Sequence, residues 1–342
     1  MTSDQERASL VRPAGRAMAL VLCLVGLLPA PARADEDAQD AASPPAPAPQ
    51  TPQLRRELDG HNFIPSRYSL DPFVSTYVSS ETGFGYGTAH GHTFDIHGNP
   101  ISTSDYQVGA YAQFLNFQYG FLDWWAVRAS LELVVYSGIN TSGVVAVGTN
   151  GFGRGGLGTT MSWKVGESLR LGWSFDFGIG PAIFFNILQA VQDSIDSANI
   201  VAPVTSAGSY SLRPAFVGSW AMAKWVGFTF SASYFYNNAT TKNSITGVTN
   251  SVSLLQGNAV FDFDLKPACA VPIGFLAGFQ TEFSVNATAF RQWRYQFGMF
   301  YTGVPNLNTG AEVVYQRAPV VGNTEIFLSS LQFLLVIQYN FN

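Results

Sequence analysis

Three of the four histidines fall within eight residues, as His90, His92 and His97 in HGHTFDIH, with Asp95 between them. A His-x-His pair on a strand puts both imidazoles on one face, an arrangement that can ligate Zn²⁺ or Cu²⁺. No cysteine lies nearby and the stretch is Gly-rich, so a solvated polar loop is the simpler expectation, and neither metal nor cofactor is expected. Ser102 and Ser104 follow closely and would be needed for a Ser–His hydrolase at a membrane boundary. Only nearness in sequence supports that pairing; such an activity would vanish on changing His90 or His92, and the reading here is not an enzyme. Asp262 and Asp264, two apart on one strand face, could share a proton, but pairing with arginines is the expected role. GFGRGG at 151–156 has phosphate-loop glycines without the following Lys-Ser/Thr, and it sits in a strand pattern.

These groups must be positioned by an unusual chain. Of 342 residues, 47% are apolar, 14% aromatic and only 12% charged, against about 25% charged in soluble domains. A net charge of −5 argues against a nucleic-acid partner. Beyond residue 28 no apolar run approaches the roughly 18 residues of a spanning helix. An aromatic, charge-poor chain with 33 Gly and no spanning helix fits a barrel that meets lipid with alternate residues.

The first 34 residues read as a cleaved secretory signal. Arg7, Arg12 and Arg16 precede the apolar run from Ala17 to Leu28, and Ala32-Arg33-Ala34 offers a small-x-small cleavage site. Cys23 lies inside that run, so Cys269 is left alone and an intrachain disulfide is excluded. Residues 35–70 form a separate segment. Asp35, Glu36, Asp37 and Asp40 precede SPPAPAPQTPQ, a flexible extended tail. Then LRRELDGHNFIPSRYSL (54–70) is either a periplasmic lead-in or a small plug entering the barrel.

Residues 71–342 carry the period of two that marks strands with unlike faces. Leu169, Leu171, Trp173, Phe175, Phe177 and Ile179 alternate with Arg170, Gly172, Ser174, Asp176 and Gly178. In NAVFDFDL the one exception is Val260. Twelve segments follow, near 71–87, 104–121, 124–138, 151–165, 168–182, 209–224, 226–238, 251–266, 271–286, 290–303, 308–318 and 325–341. The first alternates poorly. The second changes phase between Phe114 and Leu115, which suggests a bulge. Connections after even strands are short, whereas those at 87–103 and 182–208 are long. Short periplasmic turns and long outer loops characterise transmembrane barrels. Trp124, Trp125, Trp163, Trp220 and Trp225 fall beside the short turns, as a headgroup-level girdle would. Phe184, Leu188, Val191 and Ile195 recur at helical spacing, predicting a short helix in the loop after the fifth strand. The fold class is thus all-β: an antiparallel up-and-down transmembrane barrel of about twelve strands.

The last strand, FLSSLQFLLVIQYNFN, alternates Leu335, Ile337, Tyr339 and Phe341 almost to the end. It resembles the C-terminal signal of Gram-negative outer-membrane barrels, porins among them, although Asn342 follows the aromatic residue. That resemblance implies outer-membrane lipid and the barrel-insertion machinery as partners. Tyr119, Gly120, Asp123, Gly155, Gly156, Leu157 and Gly158, in YGFLDWWAVRASLEL and GFGRGGLGTTMSWKVGESLRLGWSFDF, are similar to transport barrels encoded with phenol meta-cleavage pathways. The match spans under a quarter of the chain and implies transport of hydrophobic compounds.

Twelve strands enclose a backbone radius of about 12 Å. The polar phase places Arg128, Arg154, Lys164, Arg170, Arg213 and Arg294 inside, with Glu132, Asp176, Asp262, Asp264, Glu282 and Glu312. These charges either pair to brace a nearly closed lumen or line a wet channel; equal signs predict weak ion selectivity. The function read from the sequence is passive passage of small solutes, hydrophobic ones included. The competing class is a closed barrel that displays loops for structure or adhesion.

Overall fold

The computed structural model describes residues 56–94, 100–140, 146–185, 204–242, 247–285, 291–304, 306–320 and 323–341. The signal segment, the acidic Pro/Ala tail, His97 and the predicted helix at Leu188, Val191 and Ile195 lie outside the described residues.

Two short strands, β1 (Glu57–Leu58) and β2 (His61–Asn62), form a separate hairpin. Asp59-Gly60 closes it, both residues having positive φ (46° and 77°), as a two-residue type I′ turn requires. Twelve longer strands follow: β3 (Tyr77–Phe94), β4 (Pro100–Leu122), β5 (Trp125–Asn140), β6 (Ala146–Val165), β7 (Leu169–Phe185) and β8 (Val204–Ala223). The set continues with β9 (Val226–Lys242), β10 (Gly247–Asp264), β11 (Ile273–Ser284), β12 (Arg291–Tyr301), β13 (Leu307–Val320) and β14 (Asn323–Asn340). A four-residue turn of helix, α1 (Lys266–Cys269), links β10 to β11. Every neighbouring pair is antiparallel, and β14 pairs with β3 to close the barrel. Closure leaves no edge, so every strand's backbone groups can be paired across the lipid-facing wall.

The wall is inverted relative to a soluble sheet. Phe84, Leu131, Leu157, Trp173, Ile179, Phe297, Phe333 and Leu335 stand exposed on the outside, while Ser162, Ser174, Ser219, Gln296 and Gln338 are buried within. Trp124, Trp163, Trp220 and Trp225 are exposed beside the short turns, with Tyr301, Tyr339 and Phe341 at the same end. This amphipathic ring marks a headgroup level.

Several boundaries differ from the sequence reading. The first barrel strand begins at Tyr77 and runs on to Phe94; residues 71–76 are not part of it. The connection read as 87–103 is therefore mostly strand, and His90 and His92 lie on β3 opposite Asp105 and Thr103. Phe184, read as the start of a loop helix, lies on β7 opposite Thr205. No bulge separates Phe114 from Leu115. Their pairing is continuous with Glu81 and Ser80 on one side and with Glu132 and Leu131 on the other. The irregularity in β4 comes later, between Gly120 and Leu122. Phe114 faces inward because it meets a ligand of the chain's own making, described next.

Candidate functional site

The segment from 56 to 76 lies inside the barrel and fills the half nearest the short turns. Its middle is apolar. Ile64 belongs to one buried cluster with Phe114, Val260, Leu276, Phe300, Val314, Leu334 and Val336, inward residues of β4 and β10–β14. A second cluster joins Leu58, Phe63 and Phe73 to Ala221 of β8. Seven strands thus lend apolar side chains to a lumen face that is otherwise polar. Burying each such side chain fully is worth about 1.5–3 kcal/mol, so the plug is an integral part of this half.

Polar contacts fix its path. Arg56 is buried; its Nη1 donates to Asp71 Oδ2 at 2.7 Å and its Nε to the Phe63 carbonyl at 3.2 Å. The His61 ring is fully buried, with Nε2 bonded to Asp262 Oδ1 and Nδ1 3.4 Å from the Lys224 carbonyl. Gln118 Nε2 donates to the Phe73 and Ser75 carbonyls at 2.8 and 2.9 Å. Gln296 Nε2 reaches Ser66 Oγ at 2.9 Å, Asn258 Nδ2 reaches the Tyr68 carbonyl at 2.7 Å, and Tyr68 OH donates to Gln332 Oε1 at 2.8 Å. Side-chain hydrogen bonds therefore hold the plug to β4, β10, β12 and β14, and Arg67 adds ion pairs to β3 and β5.

Above the plug, toward the long connections, lies a cavity of about 330 Å³. Its floor is Arg67 and Tyr68, and its walls carry Glu81, Arg128, Glu132, Arg154, Asp176, Arg213, Glu282 and Arg294. Most of these charges are paired. Arg128 and Arg213 share Asp176, with Arg213 Nη2 2.7 Å from Oδ2. Arg67 spans Glu81 at 3.4 Å and Glu132 at 3.5 Å, and its guanidinium stacks on the Phe114 ring. Arg294 lies 3.6 Å from Glu282, donates to Gln280 Oε1 at 2.6 Å, and sits 4.2 Å above the Tyr68 ring. Partly buried ion pairs of this kind persist only when their remaining hydrogen-bonding sites are also used. Arg154 differs: it donates to Ser211 Oγ and lies 5.5 Å from the Phe235 ring, with no carboxylate in ion-pairing range among the described residues.

Glycines make room for this lattice. A Cβ on Gly158 would run into Asp176 Oδ1 and come within 3.3 Å of Arg128 Nη2; one on Gly178 would collide with the Arg154 guanidinium. On β6 it is Gly158 that clears an ion pair; Gly156 abuts Ser130 and Gly153 has open space beside it, so GFGRGG is a strand segment with no phosphate-loop geometry.

Of the twelve residues assigned to the lumen from sequence, Arg128, Glu132, Arg154, Asp176, Arg213, Glu282 and Arg294 line the cavity. Five lie elsewhere. Lys164 is exposed beside the β6–β7 turn. Arg170 is buried in the wall, its Nε bonded to Ser162 Oγ at 2.8 Å and Nη2 to the Asp123 carbonyl. Asp262 pairs with His61 rather than with an arginine. Asp264 accepts from Thr302 Oγ1 at 2.9 Å and from the Lys266 amide at 3.1 Å, capping the turn into α1. Glu312 is buried against the plug, opposite Gly298 and Leu334. Sequence reasoning misses Arg67, Tyr68, Glu81, Phe114 and Phe235. Two of the inward apolar residues, Phe114 and Val260, already break the alternation in the sequence and are the signal that something apolar must occupy the lumen.

No family model and no curated protein matches this chain. Among solved structures it is similar to the translocator domain of the autotransporter NalP from Neisseria meningitidis. That likeness has a TM-score of 0.51 at 11% identity and covers 78% of this chain and 88% of that one. It is also similar to the transport unit of the autotransporter AIDA-I from Escherichia coli, with TM-score 0.52, 9% identity, and 82% and 94% covered. The chain has the fold of an outer-membrane β-barrel. At these identities the likeness is one of architecture, and the inside of this outer-membrane barrel has to be argued from its own residues.

Proposed function

We propose that this chain is a barrel of the Gram-negative outer membrane that passes small solutes through its lumen, with residues 56–76 as an inward-folded gate. The observation that carries this reading is the junction between a charged cavity and a plug whose uppermost contact with the wall is a pair of long ion pairs, Arg67 to Glu81 at 3.4 Å and to Glu132 at 3.5 Å. A seal for life needs no polar vestibule above it, whereas a solute route does. Residues 1–34 act as the cleaved secretory signal, residues 35–55 as a periplasmic leader into the gate, and the alternating β14 as the segment read by the insertion machinery.

A second reading is a permanently closed barrel that presents its long connections for structure or adhesion. The apolar cluster that joins Ile64 to residues of six strands favours it. The two diverge when residues 56–70 are deleted from a Cys269→Ser background and the barrel is refolded, its folding checked by heat-modifiable gel migration. Gated passage predicts rare, brief openings in planar bilayers for the intact chain and steady, larger conductance for the deletion. A folded deletion variant that stays silent would favour the sealed barrel.

A further inference from the structure

The cavity carries five guanidiniums and four carboxylates (Arg67, Arg128, Arg154, Arg213 and Arg294 against Glu81, Glu132, Asp176 and Glu282). Every one of those carboxylates already has a guanidinium partner. The uncompensated charge is therefore positive, and it has an address. Arg154 contributes one bond to Ser211 Oγ and faces the cavity beside Phe235; Glu132 stands opposite it in the β5–β6 register, but its ion pair is with Arg67. Ser211 and Arg213 are successive inward residues of β8, and Arg213 shares its Asp176 with Arg128, so the surplus of two guanidiniums over one carboxylate lies next to Arg154. A guanidinium in a partly desolvated pocket favours a planar anion that accepts two parallel N–H bonds. The Phe235 face beside it offers an apolar wall.

The lumen's second zone narrows the class further. Around the plug the wall carries an apolar belt, with Val260, Leu276, Phe300, Val314, Leu334 and Val336 facing inward among polar residues. An inorganic anion gains nothing from that belt once the plug withdraws; a molecule with one anionic end and an apolar body is matched to both zones. The cavity, at about 330 Å³, is at the small end of ligand pockets, which run from about 300 to 1,000 Å³.

We infer that the cavity binds a small organic carboxylate, its anionic end on Arg154 and Arg213 and its apolar body against Phe235. This rests on the reading of the lumen as a solute route, and binding is measured separately from passage. The probe is cyclohexanecarboxylate, with its neutral amide as control, titrated calorimetrically into the refolded full barrel in detergent. Saturable binding of the acid is expected, weakened roughly tenfold or more in the amide and in Arg154→Gln. Arg154→Lys should recover part of the affinity, and Lys164→Gln, outside the cavity, should leave it unchanged. Absence of saturable binding, or equal affinity for acid and amide, or an unaffected Arg154→Gln variant, would overturn the assignment. A barrel that binds the acid but never conducts would defeat the gated route while leaving the site; one that conducts without binding would do the reverse.

Discussion

At the scale of single residues, the lumen is organised around Asp176, which holds two arginines, and around the glycines that clear space for it. Gly158→Ala puts a methyl where the carboxylate lies, so Asp176 must shift and loosen its hold on Arg128 and Arg213. The expected cost is about 1–3 kcal/mol, read as a lowered urea midpoint for unfolding from lipid vesicles; an unchanged midpoint would show the pair is not packed as described. Asp176→Asn keeps the shape and removes one negative charge from the cavity. Conductance of a gate-deleted barrel carrying it should become more anion-selective, by a reversal-potential shift in a salt gradient, whereas an unshifted potential would place Asp176 off the conducting path. Much of this was legible in the sequence: the period of two puts Arg128, Glu132, Arg154, Asp176 and Arg213 on one face without any coordinates. Partners were not legible, because pairing across strands depends on register, and strand phase alone does not set it. Asp262 shows the limit. Its inward phase was readable, but its partner His61 lies 201 residues away in a segment with no strand period.

At the scale of elements, the plug is the part that alternation could not reach. Its 21 residues, 56–76, hold only a two-residue hairpin and otherwise irregular chain, so no period marks it. Two local signs did exist. Asp59-Gly60 between Leu58 and His61 is a hairpin signature, and Phe114 and Val260 break the polar inner face at the height where Ile64 packs. A bulge at Phe114 is the natural reading of that break when no inner partner is known; the continuous pairing of β4 with both neighbours replaces it. The same logic gives a test of the anchor. His61→Ala leaves the buried Asp262 carboxylate without its imidazole, at a cost of about 1–3 kcal/mol. Trypsin cleavage at Arg56 and Arg67 in the folded, detergent-held barrel should then quicken at least about fivefold while β3–β14 stay resistant. Cleavage at the wild-type rate would mean that His61 does not hold the plug.

At the scale of the whole molecule, two inversions define what this chain does. Outside, exposed Phe, Leu and Trp side chains demand lipid, and a ring of aromatic residues marks the short-turn boundary. Inside, one half holds a charged cavity while the other carries an apolar belt and is occupied by residues 56–76. Strands of 11 to 23 residues reach or exceed the roughly 9–11 that span a bilayer, so the barrel wall extends beyond the lipid where strands are longest. The central claim is that the plug's position controls passage. Ser66 and Gln296 touch across the plug–wall boundary, so Ser66→Cys with Gln296→Cys, in a Cys269→Ser background, gives a reducible tether. Conductance is then recorded from the same bilayer before and after reductant. Openings should be absent while the tether is oxidised and recur once it is reduced, at the frequency of the untethered Cys269→Ser barrel. Equal conductance in both states, with the tether verified by mass, would contradict the central claim.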